Sequence, residues 1–330
     1  MESYIMPHIE LKTLHLKEPF RIAHGTSATR QIIRISDGQA AGEAPFVPYY
    51  GEDPEATLTW LQTGAQGPGS RAGKLARDLF SADQRPYPLW HTAQQILGDG
   101  RPLDCLFACR SLSIPTDMAA FSQRISETAR QFRVLKLKLG SGDLDHDEAI
   151  VATARSAAPQ ATLFADVNGG WSIPQTVEMM QRLQSFGLAL IEQPIHHNSG
   201  IPAWHELKAQ LPAGSTPLYA DESAQNAADI PALAAYVQGI NVKLLKCGSF
   251  AAAIDMIAAA RQYKLGVLLG CMIESSLGTT AAAHLAPWAD WVDLDGHLYL
   301  ADDDYEGITF TLDGRLCIPL GNGIGAKPKV

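Results

Sequence analysis

Nothing in this sequence supplies a disulfide framework. Its 330 residues include five cysteines, an odd number with no C-x-x-C pair among them. Cys105, Cys109, Cys247, Cys271 and Cys317 therefore read as reduced thiols, which suits a cytoplasmic protein and argues against a structural zinc site. Basic clusters are missing too. The formal charge is −9, and without a Lys/Arg patch neither nucleic acid nor an anionic membrane is an expected partner. No apolar run approaches the roughly 20 residues of a membrane span. The opening MESYIMPHIELKTLHL has no basic start followed by an apolar block, so no secretory leader is expected.

What is present is a rhythm. Between Ser111 and Gly296 short apolar runs recur, each followed by polar or Gly-containing residues and a helical pattern. The runs are FACRSLSI (107–114), FRVLKLKL (132–139), ATLFADV (161–167), LALIEQP (188–194), PLYADES (217–223), GINVKLL (239–245), GVLLGCM (266–272) and WVDLDG (291–296). Helix-like segments at 145–158, 173–187 and 249–264 lie between them. The runs return every 22 to 29 residues, about the length of one strand, one helix and two short loops. Eight such units predict a closed parallel (β/α) barrel. An open doubly wound sheet has the same alternation. The first hundred residues differ: IELKTLHLK, QIIRISD and QAAGEAPF resemble an antiparallel meander, with helical material from Pro54 to Leu97. The tail holds a hairpin signal, TLDGRL, around an Asp-Gly turn. The expected division is a capping α+β domain over 1–105, a barrel over 106–304, and a tail (305–330) returning to the cap.

Barrel strands present their C-terminal ends to one common site. Those ends carry Lys136-x-Lys138, Asp166-Val-Asn168, Glu192-Gln193, Asp221-Glu222, Lys243 and Asp293-x-Asp295. Three carboxylates that each break an apolar run are costly to bury unpaired. A hard divalent cation resolves that cost, and Mg²⁺ with its oxygen ligands suits Asp166, Glu192 and Asp221. Helix capping, or pairing with lysines on neighbouring strands, is the plainer alternative for each carboxylate taken alone. In an eight-strand ring the second and sixth strands face each other, so Lys138 and Lys243 would flank a bound molecule. A proton beside a carboxylate leaves only when the resulting dianion is stabilised, which a cation does. Positive neighbours would lower a lysine toward the range where it acts as a base.

The ordered motifs K-L-K (136–138), D-V-N (166–168), E-Q-P (192–194), D-E-S (221–223) and V-K-L-L-K-C-G (from 242) resemble the enolase superfamily, muconate-lactonizing subgroup. The resemblance implies a modified (β/α)7β barrel, Mg²⁺ at Asp166, Glu192 and Asp221, and acid/base roles for Lys138 and Lys243. It implies that Lys136 supports Lys138 and touches the substrate, while Lys246 caps the following loop. Gly270-Cys271-Met272 and Asp293-Leu294-Asp295-Gly296 are similar to dipeptide epimerases. In that family the D-x-D pair binds the substrate's free ammonium and the lysines invert the α-carbon of the C-terminal residue. Ser111 matches a substrate-contacting position. The alternatives are o-succinylbenzoate synthase, N-succinylamino acid racemase or another lyase or cycloisomerase of the subgroup. One departure bears on specificity: Ser27 stands where Ala-Glu enzymes carry a loop arginine, which speaks against Ala-Glu. A small-molecule dipeptide is the expected partner, and a homo-oligomer is compatible with the sequence.

Three other features carry no chemistry in this reading. GNGIG (321–325) lacks the βαβ unit of a dinucleotide site. His196-His197 reads as an exposed loop pair. Cys105 and Cys109 read as small buried hydrophobes.

Overall fold

The meander exists, but its strands are longer than the apolar alternation suggested. In the computed structural model, which describes residues 7–64 and 69–330, β1 (His8–Ile22), β2 (Gly25–Ser36) and β3 (Ala41–Pro45) form an antiparallel sheet in that order. Pairing continues past the polar stretch 19–30 because main-chain bonds, interrupted by a register shift between His15 and Phe20, hold it. The leaderless reading of the first residues rests in part on 1–6, which lie outside those described. Three helices follow: α1 (Pro54–Thr63), α2 (Arg71–Asp83) and α3 (Leu89–Leu97). Asp53 caps the first through Ala56 N–H, and Ser70 the second through Gly73 N–H. The apolar stripe of α2 (Ala72, Leu75, Ala76, Leu79) is buried, and α2 packs closely on β3. A Cβ on Gly42 would stand 2.2 Å from Phe80 N.

The eight expected barrel strands are all present: β4 (Cys109–Leu112), β5 (Val134–Lys138), β6 (Thr162–Asp166), β7 (Leu190–Glu192), β8 (Leu218–Ala220), β9 (Gly239–Val242), β10 (Gly266–Gly270) and β11 (Trp291–Asp293). They pair in parallel and in sequence order, and a bridge between Ala108 and Val292 joins the last strand to the first. The helices between them are α4 (Met118–Thr128), α5 (Leu144–Ala157), α6 (Ile173–Arg182), α7 (Gly200–Gln210), α8 (Ile230–Leu233), α9 (Leu244–Cys247), α10 (Phe250–Gln262) and α11 (Ser276–Ala283). This is the enolase-type barrel. The sixth apolar run ends earlier than its composition suggested: Leu244 and Leu245 belong to α9, and Lys243 sits at its N-cap.

Strand alternation explains the interior. Outward residues such as Leu135, Leu137, Leu163, Ala165 and Ile191 pack under the helices in the main core. Inward residues near the strand starts (Cys109, Val134, Phe164, Leu190, Tyr219 and Leu268) form a second, closed cluster that plugs the barrel floor. Tyr219 needs bare neighbours there, since a Cβ on Gly239 would lie 2.2 Å from its ring. Two or four residues further along the same inward faces come Ser111, Lys136, Lys138, Asp166, Glu192, Asp221, Asn241 and Asp293.

The tail is stitched on in pieces. β12 (Tyr305–Glu306) pairs with β15 (Lys327–Pro328), and β13 (Thr309–Phe310) pairs with β14 (Leu316–Cys317) around the expected Asp313-Gly314 turn. Asp83 of α2 receives Ile324 N–H, and His284 Nε2 lies 2.9 Å from Ile324 O. All five cysteines are free; Cys109 is buried, whereas Cys105 is exposed, against expectation, because it lies in a surface turn rather than on a helix face. Among the described residues no helix is long and apolar enough to cross a membrane.

Candidate active site

A cavity of about 340 Å³ opens where the strand ends meet the cap. Its floor includes Lys136, Lys138, Lys243 and Asp293, and its roof Phe20, His24, Arg30 and Tyr49. Ala23 seats the roof on the barrel: a Cβ on Gly140 would come within 2.9 Å of the Ala23 methyl, and one on Gly170 within 3.1 Å.

The floor is a network of opposite charges. Lys136, 1% exposed, places Nζ 2.8 Å from Asp293 Oδ2, 2.7 Å from Glu192 Oε2 and 3.0 Å from Asp166 Oδ2. Lys138 Nζ donates to Asp166 Oδ2 at 2.6 Å and to Asn168 Oδ1 at 3.3 Å. Lys243 Nζ donates to Asp221 Oδ2 at 2.6 Å. Lys246 is not a loop cap. It turns back under the strand ends and donates to Asp221 Oδ1 at 2.5 Å and to the carbonyls of Asp221 and Asn241 at 2.7 Å.

The loops hold these groups by satisfied polar contacts. Gln193 is fully buried; its Oε1 accepts Asp221 N–H and Ser223 N–H, and its Nε2 donates to Ile195 O and Ser223 Oγ. One side chain thus ties the ends of β7 and β8 together. Gln193 and Asn168 both adopt left-handed backbone (φ 40 and 47), a conformation that costs most residues and that asparagine tolerates better. Asn241 Nδ2 donates to Glu192 Oε1 at 2.7 Å, and Asn168 Nδ2 to Glu222 Oε1 at 3.1 Å.

Charge states follow from this packing. Burial pushes the Asp166 carboxyl up, but the Lys136 and Lys138 ammoniums outweigh it and hold it well below the usual range. Asp221 is likewise held low, mainly by Lys243 and Lys246 against burial. Glu192 goes the other way, up to about 8, through burial and then the Asp166 charge. Burial presses Lys243 down, yet Asp221 holds it well above the ordinary lysine value. The sequence predicts a lysine lowered by positive neighbours, a bound cation among them; beside its carboxylate partner alone, Lys243 moves the other way.

Asp293 and Asp295 occupy the rim where β11 meets β4. Ser111 Oγ donates to Asp293 Oδ1 at 3.0 Å. Asp295 Oδ2 accepts from Ser111 N–H (2.7 Å), Tyr299 OH (2.8 Å) and Arg110 Nη1 (3.0 Å), and the Arg110 guanidinium lies 4.1 Å from the centre of the Tyr299 ring. Both aspartates therefore already face a cation, Asp293 the Lys136 ammonium and Asp295 the Arg110 guanidinium. The sequence reading missed Arg110 and Tyr299, although Arg110 adjoins Ser111 and could have been weighed beside it.

All the acidic groups expected to hold a metal reach this floor, buried and on adjacent strands; Asp166 and Glu192 are register partners. The donors are hard oxygens. Glu192 Oε2 and Glu222 Oε2 are buried without a hydrogen-bond donor, although Lys136 lies 2.7 Å from the former at an angle that makes no bond. Such orphaned oxygens and this donor set fit a divalent cation. Among the described residues no three His, Cys, Asp or Glu side chains converge as a ready cage; Lys136 stands between Asp166 and Glu192. His196 and His197, in a loop rather than a strand, stack on each other with ring centres 4.5 Å apart.

Residues 117–329 match the family model described as "Enolase C-terminal domain-like". An L-Ala-D/L-amino acid epimerase of Pedosphaera parvula is 39% identical over 60% of this chain and 56% of its own length. The chain thus spans only about half of that relative. An L-Ala-D/L-Glu epimerase of Bacteroides thetaiotaomicron is 33% identical over 98% of this chain and 87% of its own. The solved dipeptide epimerase of Cytophaga hutchinsonii, complexed with Mg and the dipeptide D-Ala-L-Val, superposes with a TM-score of 0.85 at 25% identity, covering 98% of this chain and 96% of that one.

Proposed function

Since this chain belongs to the enolase C-terminal domain-like family, we propose that it is an isomerase that inverts the α-carbon of the C-terminal residue of a dipeptide. The observation that carries the proposal is the floor itself. It pairs two lysines from opposite positions of the ring, Lys138 after the second strand and Lys243 after the sixth, with a carboxylate pair at the rim. The names of the relatives support it: an L-Ala-D/L-amino acid epimerase, an L-Ala-D/L-Glu epimerase and a dipeptide epimerase.

Asp166, Glu192 and Asp221 would hold Mg²⁺, which supplies the positive charge that stabilises an enolate and competes with the lysines for those carboxylates. Lys138 and Lys243 do the proton work: one, as the neutral amine, takes the α-proton and becomes an ammonium, while the other, as the ammonium, gives a proton to the opposite face and is left as the amine. Lys136 would yield Asp166 and Glu192 to the metal while keeping Asp293, and so serves as a charge that orients the substrate carboxylate. Asp293 takes the substrate's ammonium, with Ser111 aligning it. Asp295, already bound to Arg110, positions Ser111 through its backbone and carries less of that recognition. The roof excludes water, which would otherwise return the proton without regard to face.

The direct test incubates the protein and Mg²⁺ in D₂O with a panel of L,L-dipeptides and follows α-deuterium by mass spectrometry. Incorporation at the C-terminal residue, with loss of optical purity, is the expected result. No incorporation across the panel overturns the reading.

A further inference from the structure

Side chains, rather than main chain, finish the seam that closes the barrel. β11 ends at Asp293, and the bridge between Ala108 and Val292 joins it to β4. Beyond that bridge Ser111 has no strand beside it on the β11 side. Its N–H donates instead to Asp295 Oδ2 at 2.7 Å, and its carbonyl accepts from the Tyr299 hydroxyl, which also lies 2.8 Å from Asp295 Oδ2. Buried main-chain groups need partners, so Asp295 and Tyr299 stand in for the missing end of the last strand. Arg110 holds both of them. Its side chain leaves β4 on the face opposite Cys109 and Ser111, and Nη1 donates to Asp295 Oδ2 at 3.0 Å and to Asp295 O at 3.4 Å. The guanidinium lies 4.1 Å from the centre of the Tyr299 ring, within cation–π range. The same ring meets Phe20 of the roof edge-on, with centroids 4.7 Å apart.

The two rim aspartates are loaded unequally. Three donors converge on Asp295 Oδ2, from Ser111, Arg110 and Tyr299. Asp293 has one donor on each oxygen among the described residues, Ser111 Oγ on Oδ1 at 3.0 Å and Lys136 Nζ on Oδ2 at 2.8 Å. A carboxylate offers about four lone-pair sites, so Asp293 keeps room for an incoming ammonium, whereas Asp295 Oδ2 is filled. The order of contacts runs from Arg110 to Asp295 and Tyr299, from them to the main chain of Ser111, and from the Ser111 hydroxyl to Asp293. We propose that Arg110, which does not itself line the cavity, is a positioning residue for the amino end of the substrate: through Asp295 and Tyr299 it fixes Ser111, and Ser111 sets the carboxylate that receives the ammonium. Asp295 is then a strut rather than a ligand. The inference rests on the epimerase reading, and its test separates the two.

The test follows α-proton exchange of the panel's best dipeptide at saturating Mg²⁺ in wild type, Arg110→Gln, Arg110→Lys, Asp295→Asn and the Arg110→Gln/Asp295→Asn double variant. Arg110→Gln should raise KM by about ten-fold, the scale of one hydrogen bond to a charged group. It should leave kcat close to wild type, because the lysines and the carboxylates below them are untouched. Asp295→Asn should behave alike, and the double variant should be no worse than either single one, since the two residues act as a unit. Arg110→Lys should recover part of the loss, as it keeps the charge beside Asp295 but not the flat contact with Tyr299. A fall in kcat with KM unmoved, or losses that add in the double variant, overturns the proposal. Should Arg110→Gln not fold, Tyr299→Phe decides. It keeps the ring and removes the hydroxyl from Ser111 O, so KM should rise by about five-fold, and an unchanged KM refutes the inference. Should wild type exchange no dipeptide, the epimerase reading falls and calorimetry with L-Ala-L-Leu judges Arg110 alone. Wild-type binding that Arg110→Gln weakens about ten-fold sustains its role; equal binding, or none, refutes it.

Discussion

The floor and the roof of one cavity are built on different principles. Floor residues lie at the ends of strands whose preceding residues are locked in a closed plug, and each lysine there is met by a carboxylate. Roof residues come from the cap, are partly exposed, and include a cation left unmatched. A rigid, self-neutralised floor fits chemistry common to many substrates, and an adaptable roof fits the choice among them.

If that division is right, floor substitutions should abolish turnover and roof substitutions should redistribute it. The largest effect is expected for Lys138→Ala and Lys243→Ala. Each should cut epimerisation by about 10²- to 10⁴-fold while leaving deuterium exchange from one stereoisomer only, opposite for the two variants; exchange from both would mean that the lysines do not face each other across the α-carbon. Asp293→Asn comes next. Removing one partner of a buried charge pair costs about 2–5 kcal/mol, so kcat/KM for free dipeptides should fall by at least about 30-fold. N-acylated dipeptides, which lack the ammonium, should be far less affected. A uniform loss would sink the ammonium role.

The seam between the two regions should respond to pH in opposite senses. Glu274 is buried near Glu43, and burial, then that neighbouring charge, pushes its carboxyl up to about 8. Its folded value lies above the unfolded one, so stability is highest at low pH and is lost as pH rises from about 4.5 to 8, by at most about 1.4 kcal/mol per unit. Glu274→Gln should therefore raise Tm increasingly over that window, and a constant difference would contradict the burial argument. His284 ties α3 to the tail: it accepts Trp90 N–H at Nδ1 (3.3 Å) and faces Ile324 O with Nε2. Burial lowers it to about 4. Here the folded value is the lower one, so stability should fall as pH drops from about 6.5 to 4. Thermal melts of His284→Gln against wild type across that range should show the gap closing in acid.

The same division explains what could be read in advance. The strand ends were legible because a carboxylate or lysine that interrupts an apolar run is conspicuous, and a closed ring brings such residues together. Arg30 and Tyr49 were not, because nothing in PFRIAHGTSATR or VPYYGED distinguishes a residue that will roof a distant cavity from one in a surface loop. Ser27 stands out as a missing arginine, and Arg30, three residues on, is set aside in the sequence because it does not fall at that position. Lys246 misled for a related reason: sequence order puts it beyond the strand, but the single turn of α9 carries it back beneath Asp221.

The contact of the Ala23 methyl with Gly140 and Gly170 has a mechanical consequence. Cap and barrel fit there with less than one carbon atom to spare, at a spot where no bond is made or broken. A side chain in place of either glycine would meet the barrel's own backbone first, Val167 O at 2.6 Å for Gly140 and Gly140 Cα at 2.8 Å for Gly170, and then press on the Ala23 methyl of the cap. How well the vessel seals and what happens inside it are therefore written at separate addresses in the chain, and either could drift without the other.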